Sequence, residues 1–332
     1  MFGIYRYLLA LTVMHGHLVW FLSGQVNWVG WYAVWAFFVL SGYLMTRVLH
    51  ETYGYSPRGT LLFAGNRVLR IYPTYWVAAL LGLAILAAYP DSEWFGSFLV
   101  PDSASSWTRN FSILGMLGER RTLVPPAWSL HMELLFYGVI ALGLSRTRNL
   151  SALWIVGATA LTALILAGHP PRTNRLGSLL LTSFPFALGS SLFFVRRALP
   201  RWTLAVVPLY FVHAFLAGTL WTDVLEEGLY TSTILSALCV WVLAEAKPSQ
   251  RLAKWDQYLG DLSYPFFLIH AQAAYTLASW QPELRSLPSL WLPTTLLTSH
   301  VLASGMHAAV EVPLERWRGR VRKRAVENKR AG

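Results

Sequence analysis

The stretch from Val29 to Leu49, VGWYAVWAFFVLSGYLMTRVL, decides the fold. It runs for twenty-one residues with a single charge, Arg47, near its end. At 1.5 Å per residue a helix of this length crosses the ~30 Å hydrocarbon core of a bilayer. Nine further apolar blocks of similar length lie at 4–22, 72–90, 125–144, 151–168, 177–195, 202–221, 230–246, 262–280 and 289–311. The composition agrees: 55% of the 332 residues are apolar and 13% charged, against about 25% charged in a soluble domain. The expected architecture is an all-α, polytopic integral membrane bundle of about ten transmembrane helices.

The net charge of +11 raises a nucleic-acid reading, which its distribution opposes. With the N-terminus placed in the cytoplasm, 21 of the 27 Lys and Arg fall in inner loops or after Glu315, the positive-inside pattern. Arg109, Arg120, Arg121, Arg172, Arg175 and Arg285 fall outside. Both termini are then cytoplasmic. No interleaved aromatics or base-reading motif accompany the basic run, so no nucleic-acid partner is expected. The expected domains are a membrane-embedded unit, 1–315, and a basic cytoplasmic tail, 316–332, solvated or touching anionic membrane lipids. The first block carries Arg6, His15 and His17 without a small-residue cleavage site, and reads as a retained helix rather than a signal peptide. One cysteine, Cys239, excludes an internal disulfide and a cysteine metal cluster, and no metal-ligand spacing is present. The long break at 91–124 is the segment expected to cover a site.

Ionisable groups inside apolar helices are costly and face a bundle interior or a wet cavity. Arg6 and His17 are eleven residues apart, three helical turns plus only about 20°, so they share one face about 16 Å apart. His15 points to the opposite face. Glu133, in Trp128-Ser129-Leu130-His131-Met132-Glu133, is placed by helical rise at a depth similar to His17, where a carboxylate can orient an imidazole. A buried histidine or glutamate also serves as a hydrogen-bonded core residue. Arg67 and Arg70, three apart, sit at the inner boundary at the level of Arg6. Three guanidiniums there suit a phosphate-bearing ligand, although a single boundary arginine more commonly anchors topology. Ser41-Gly42 reads as a close helix approach. Ser41, Tyr72, Trp128, Ser129, Tyr264 and His270 are candidate cavity-lining groups, while His213 and His300 read as structural.

Taken together these segments resemble the membrane-bound acyltransferase 3 family, which O-acylates surface polysaccharides, O-antigen, peptidoglycan and macrolides. Arg6 and His17 look like its Arg-x10-His pair. Phe37 to Leu44 looks like its FFVLSGFL segment, and Arg67-Val-Leu-Arg70-Ile-Tyr-Pro-Thr-Tyr-Trp76 like its RxxR-IYPxYW segment. Trp128 to Tyr137 is similar to WSLxxExxFY, Ser263 to His270 to SYxxYLxH, and Glu311 to Arg316 to ExPxxR. Each match alone is weak; six in chain order are specific.

The resemblance implies an acyl-coenzyme A co-substrate, usually acetyl-CoA, with no bound cofactor and no metal. It implies an acceptor that is a glycan or an exported small molecule, and a location in the bacterial inner membrane. His17 is then a general base or a transient acyl carrier supported by Glu133, and Arg6, Arg67 and Arg70 bind the donor. Two departures stand out. Leu134 occupies the place of a frequent second acid, and no extracytoplasmic SGNH module is expected, so the acceptor meets the membrane unit itself or a separate partner finishes transfer. A transporter or flippase is the rival from another class; it predicts movement of substrate without covalent change, and the paired, Gly/Pro-interrupted helices of matching halves are not seen. A non-catalytic scaffold leaves Arg6, His17 and Glu133 without a role.

Overall fold

A computed structural model describes residues 1–23, 27–90, 96–167, 175–195, 199–220 and 225–331. Among these, every regular element is helical. The helices are α1 (Phe2–Ser23), α2 (Val29–Val48), α3 (Pro57–Ala88), α4 (Ala104–Ser112), α5 (Ala127–Val139), α6 (Arg148–Ala167), α7 (Arg175–Leu192), α8 (Val206–Leu220), α9 (Leu225–Glu245), α10 (Gln250–Trp280), α11 (Pro288–Met306) and α12 (Val312–Ala331). Single π-helical turns extend α2 at Leu49–Tyr53, α5 at Ile140–Leu144 and α11 at His307–Glu311.

All ten apolar blocks of the sequence fall largely within helices. Among the described residues, six helical spans are long and apolar enough to cross a membrane: Val29–Tyr53, Pro57–Ala88, Ala127–Leu144, Arg148–Ile165, Trp202–Thr219 and Gly228–Glu245. The apolar stretch of α7 is shorter, Leu179–Val195. Helices α1, α10 and α11 carry the polar groups that lower their hydropathy, among them His15, His17, Asp261, His270, Thr295 and Ser299. Two of these three are interior helices. The buried residues of α10 run almost without interruption from Gly260 to Ala278, and α1 packs along it. The cost of polar groups in lipid is thus avoided by enclosing them in protein. Of the charges used to orient the chain, Arg172, Arg196 and Arg197 lie outside the described residues.

Two glycine contacts set how closely the helices approach. A Cβ on Gly42 of α2 would lie 2.3 Å from the Phe186 carbonyl oxygen, and one on Gly189 of α7 would lie 1.9 Å from the Val39 carbonyl oxygen. Backbone meets backbone at this crossing, as small residues allow in membrane bundles. Ser190 Oγ donates to the Gly42 carbonyl across the same seam, 3.2 Å. At the other end Gly3 of α1 faces Gly260 of α10, and a Cβ on Gly260 would lie 2.8 Å from Arg6 Nη2. That glycine makes the room in which the Arg6 guanidinium sits.

The segment after Ala88 is fastened to α3. Tyr75 OH donates to the Asn110 carbonyl (2.6 Å), Tyr72 OH to that of Ser112 (2.7 Å) and Trp76 Nε1 to that of Phe111 (3.0 Å). Gln272 Nε2 of α10 donates to the Leu123 carbonyl, 2.7 Å. The tail expected to be solvated or lipid-bound is instead a helix docked on the bundle: α12 packs against α3 and the turn at 49–53. Asn66 Nδ2 donates to the Arg318 carbonyl (3.2 Å), and Lys329 Nζ reaches the Glu51 carbonyl (3.3 Å).

Candidate active site

Three cavities follow one another through the bundle. The widest, about 1030 Å³, opens at the end where α2, α3, α10 and α12 meet. Arg6, Arg47, Arg67 and Arg70 line it together with Arg316, Arg318 and Arg322 of α12. The next, about 120 Å³, shares Arg6, Leu44, Met45, Arg67 and Arg70 with the first and continues past Ser41, Glu133, Tyr137 and Tyr264. The third, about 230 Å³, is lined by His17, Trp20, Trp31 and Trp128. It shares Val34, Ser129 and Phe267 with the middle one. These three side chains form a neck between the arginine end and the histidine end.

Helical periodicity explains why α1 serves both ends. Arg6 faces the inner and middle cavities and His17 the outer one, on the common face set by their spacing. His15 lies elsewhere, its ring 5.2 Å from that of Phe215. On α5, Ser129 sits at the neck. Glu133 follows one turn on, about 6 Å further along the axis, on the arginine side.

Glu133 lines the middle cavity and His17 the next one. Ser41 Oγ donates to Glu133 Oε1 (2.8 Å) and Tyr137 OH donates to Oε2 (2.7 Å), so the carboxylate is held from α2 and from its own helix. The histidine is joined to another histidine. His17 Nδ1 lies 2.7 Å from His270 Nε2, with the rings stacked at 5.0 Å between centroids. Depth counted from helix ends suggested the carboxylate as a neighbour of the imidazole; the hydrogen-bond partner seen at His17 Nδ1 is His270, on the helix α10 that packs along α1. For this bond one ring nitrogen must carry the proton and the other accept it. If His270 accepts, His17 bears its proton on Nδ1 and presents the lone pair of Nε2.

The three arginines differ in what neutralises them. Arg70 Nη1 pairs with Glu311 Oε1 at 2.8 Å, and its guanidinium lies 5.4 Å from the Tyr264 ring centroid. Glu311 also faces His307 Nδ1 (3.2 Å), within the π turn that precedes α12. Such turns recur at functional sites. Arg67 donates to Asn66 Oδ1 (3.0 Å), but its Nε, like that of Arg6, is buried without a hydrogen-bond partner. Buried donors left unpaired are costly, and an anion entering this space would satisfy them.

Ser41, Ser129 and Tyr264 line the middle cavity and Trp128 the outer one, as their motifs suggested. Tyr72 does not line these cavities; its hydroxyl is spent on the Ser112 carbonyl. Of the break at 91–124, the described residues 96–124 line none of these three cavities, and Asn110 to Ser112 within it are fastened to α3. Sequence reasoning missed the neck residues Val34 and Phe267, which are ordinary apolar side chains. It also missed Arg318 and Arg322, whose i, i+4 spacing places both on one face of α12.

A family model described as an acyltransferase domain, that of the acyltransferase 3 family, matches residues 4–305. The exopolysaccharide production protein ExoZ of Rhizobium meliloti (strain 1021) is 27% identical over 322 residues, covering 91% of this chain and 94% of the relative. No solved structure matches. With a match that spans the helices bearing Arg6, His17, Arg67, Arg70, Glu133 and His270, the chain belongs to the acyltransferase 3 family.

Proposed function

We propose that this protein carries an acyl group, acetyl in the simplest case, from cytoplasmic acyl-CoA to a hydroxyl of a glycan on the outer side of the bacterial inner membrane. The observation that carries this reading is the series of three cavities with cationic and imidazole ends. Coenzyme A offers phosphates at one end and a thioester at the other, joined by a long flexible arm. The phosphates match the arginine end, where Arg6 and Arg67 hold unpaired donors. The arm fits the middle cavity, where Ser41, Glu133 and Tyr137 form a polar group that can bond its amides. The thioester then reaches the neck beside His17. The excess of Lys and Arg in alternate loops supports cytoplasmic termini, with the arginine end on the donor's side.

The outer cavity suits a sugar. Trp31 and Trp128 lie 4.9 Å apart between centroids, and Trp20 completes an aromatic lining next to His17. Flat apolar faces with one polar group nearby are how a concave site orients a ligand. The acceptor hydroxyl gives its proton to His17 Nε2 as its oxygen attacks the thioester carbonyl. Collapse of the intermediate expels the coenzyme A thiolate, which takes the proton back from His17. His270 holds the tautomer that makes this possible. Glu133 acts on the donor arm. The name of the Rhizobium relative, an exopolysaccharide production protein, favours a polysaccharide acceptor.

Purified protein incubated with labelled acetyl-CoA and candidate glycans tests the reading. Labelled glycan is expected with the native chain and with His15→Ala, and its loss with His17→Ala. Equal loss in both variants, or full activity in His17→Ala, overturns it. Movement of a glycan without any label would favour the flippase.

A further inference from the structure

We propose that α12 is a wall of the donor site, with Arg318 and Arg322 binding the phosphates of the nucleotide end of the donor. This rests on the acyl-CoA reading above and adds residues outside the matched region 4–305.

The helix has two basic faces that do different things. Arg318 and Arg322, one turn apart, line the first cavity together with Arg316; Arg318 is largely buried, whereas the Arg322 side chain is 46% exposed. Arg320, Lys323 and Arg324 are exposed on the far side, and Trp317 is 61% exposed beside them. The inward pair is fixed in place. The carbonyl of Arg318 is held by Asn66, whose own side-chain oxygen accepts from Arg67, so α12 and the donor arginine of α3 share one amide. Seven arginines line this cavity with four carboxylates, Glu51, Asp261, Glu311 and Glu315, leaving an excess of positive charge. Glu315 is divided between both inward arginines, pairing with Arg318 Nη1 at 2.7 Å and with Arg322 Nη2. Arg318 Nε remains buried without a partner, as do those of Arg6 and Arg67. Burial, and after it the charge of Arg70, push the Arg318 guanidinium below its ordinary range.

A carboxylate bridging two guanidiniums in a cationic hollow stands where a phosphate would bind. A phosphate carries more charge and more acceptor oxygens than Glu315, and it can pair with both forks. Lipid headgroups present the same chemistry, but they reach the outward face, whereas Arg318 and Arg322 line the cavity that shares Arg6, Arg67 and Arg70 with the middle one.

The test compares acetyl-CoA with S-acetyl-pantetheine, which has the same thioester and arm but no phosphate. In detergent, Arg318→Gln/Arg322→Gln should raise KM for acetyl-CoA by roughly tenfold or more, the worth of one charge-assisted hydrogen bond lost, with kcat little changed. Turnover of S-acetyl-pantetheine should be the same in native and variant protein, which also shows that the variant is folded. The outward control, Arg320→Gln/Arg324→Gln, should leave KM for acetyl-CoA unchanged. Unchanged KM in the inward variant overturns the proposal, as does a KM rise that follows the outward pair. If the native protein turns over S-acetyl-pantetheine and acetyl-CoA with the same KM, the α12 site fails while the thioester reading stands. If it turns over neither, the acyl-CoA reading itself fails.

Discussion

Replacing His270 with Ala removes one hydrogen bond, and its consequence can be worked from the geometry. The bond joins His17 Nδ1 to His270 Nε2 at 2.7 Å, and His270 is fully buried. If His270 acts only by fixing the tautomer and orientation of His17, the loss is that of one neutral hydrogen bond, about 0.5–1.5 kcal/mol. In rate this is about two- to tenfold. On the proposed mechanism, loss of His17 itself removes general-base catalysis, about 10²–10⁴-fold. The two effects must not add, because His270 has nothing left to orient once His17 is gone. The assay is transfer of labelled acetyl from acetyl-CoA, with kcat and KM measured for native, His17→Ala, His270→Ala and the double variant. The expected pattern is a fall of about two- to tenfold in kcat for His270→Ala with KM held, and a double variant no slower than His17→Ala. A double variant slower by the full product of the single effects would show that His270 acts independently, and the tautomer assignment would be refuted.

Other perturbations separate the compartments. Glu133→Gln keeps the size of the side chain and removes its charge; it should raise KM for acetyl-CoA by about tenfold while kcat stays nearly constant. A large fall in kcat at constant KM would return Glu133 to the chemistry. Val34→Trp fills the neck between the two inner compartments and the histidine; transfer should drop by roughly 100-fold or more while equilibrium binding of coenzyme A is retained. Transfer at the native rate would mean that the neck is not the path. Gly42→Val drives a side chain into the Phe186 carbonyl at the α2–α7 crossing and should cost about 1–3 kcal/mol. A lowered thermal midpoint in detergent checks this, and an unchanged midpoint would contradict the close approach.

Much of the architecture was legible because lipid imposes one rule on every segment: long, apolar and helical. The ten blocks therefore found their helices even where hydropathy alone recognises only six. The polar helices α1, α10 and α11 escape a hydropathy criterion because their polar groups face protein. The face shared by Arg6 and His17 was legible too, since periodicity within one helix is local. What failed was the relation between helices. Depth counted along α1 and α5 said nothing of the neck at Val34, Ser129 and Phe267, nor of the hydroxyls of Ser41 and Tyr137 that hold Glu133. His270 was marked as a buried polar group, but its partner depends on α10 lying along α1, which is a tertiary fact. The tail was read as free because its composition is basic. Its docking rests on Asn66 and two carbonyl groups, which carry no compositional signal.

Sidedness is the sharpest measurement. With the protein reconstituted into sealed vesicles, labelled acetyl-CoA is confined to the side bearing α12 and the glycan acceptor to the other. Label is expected on the glycan across the intact membrane, and none is expected with His17→Ala. Label that forms only when donor and acceptor share one side would contradict the route from the arginines to the histidine.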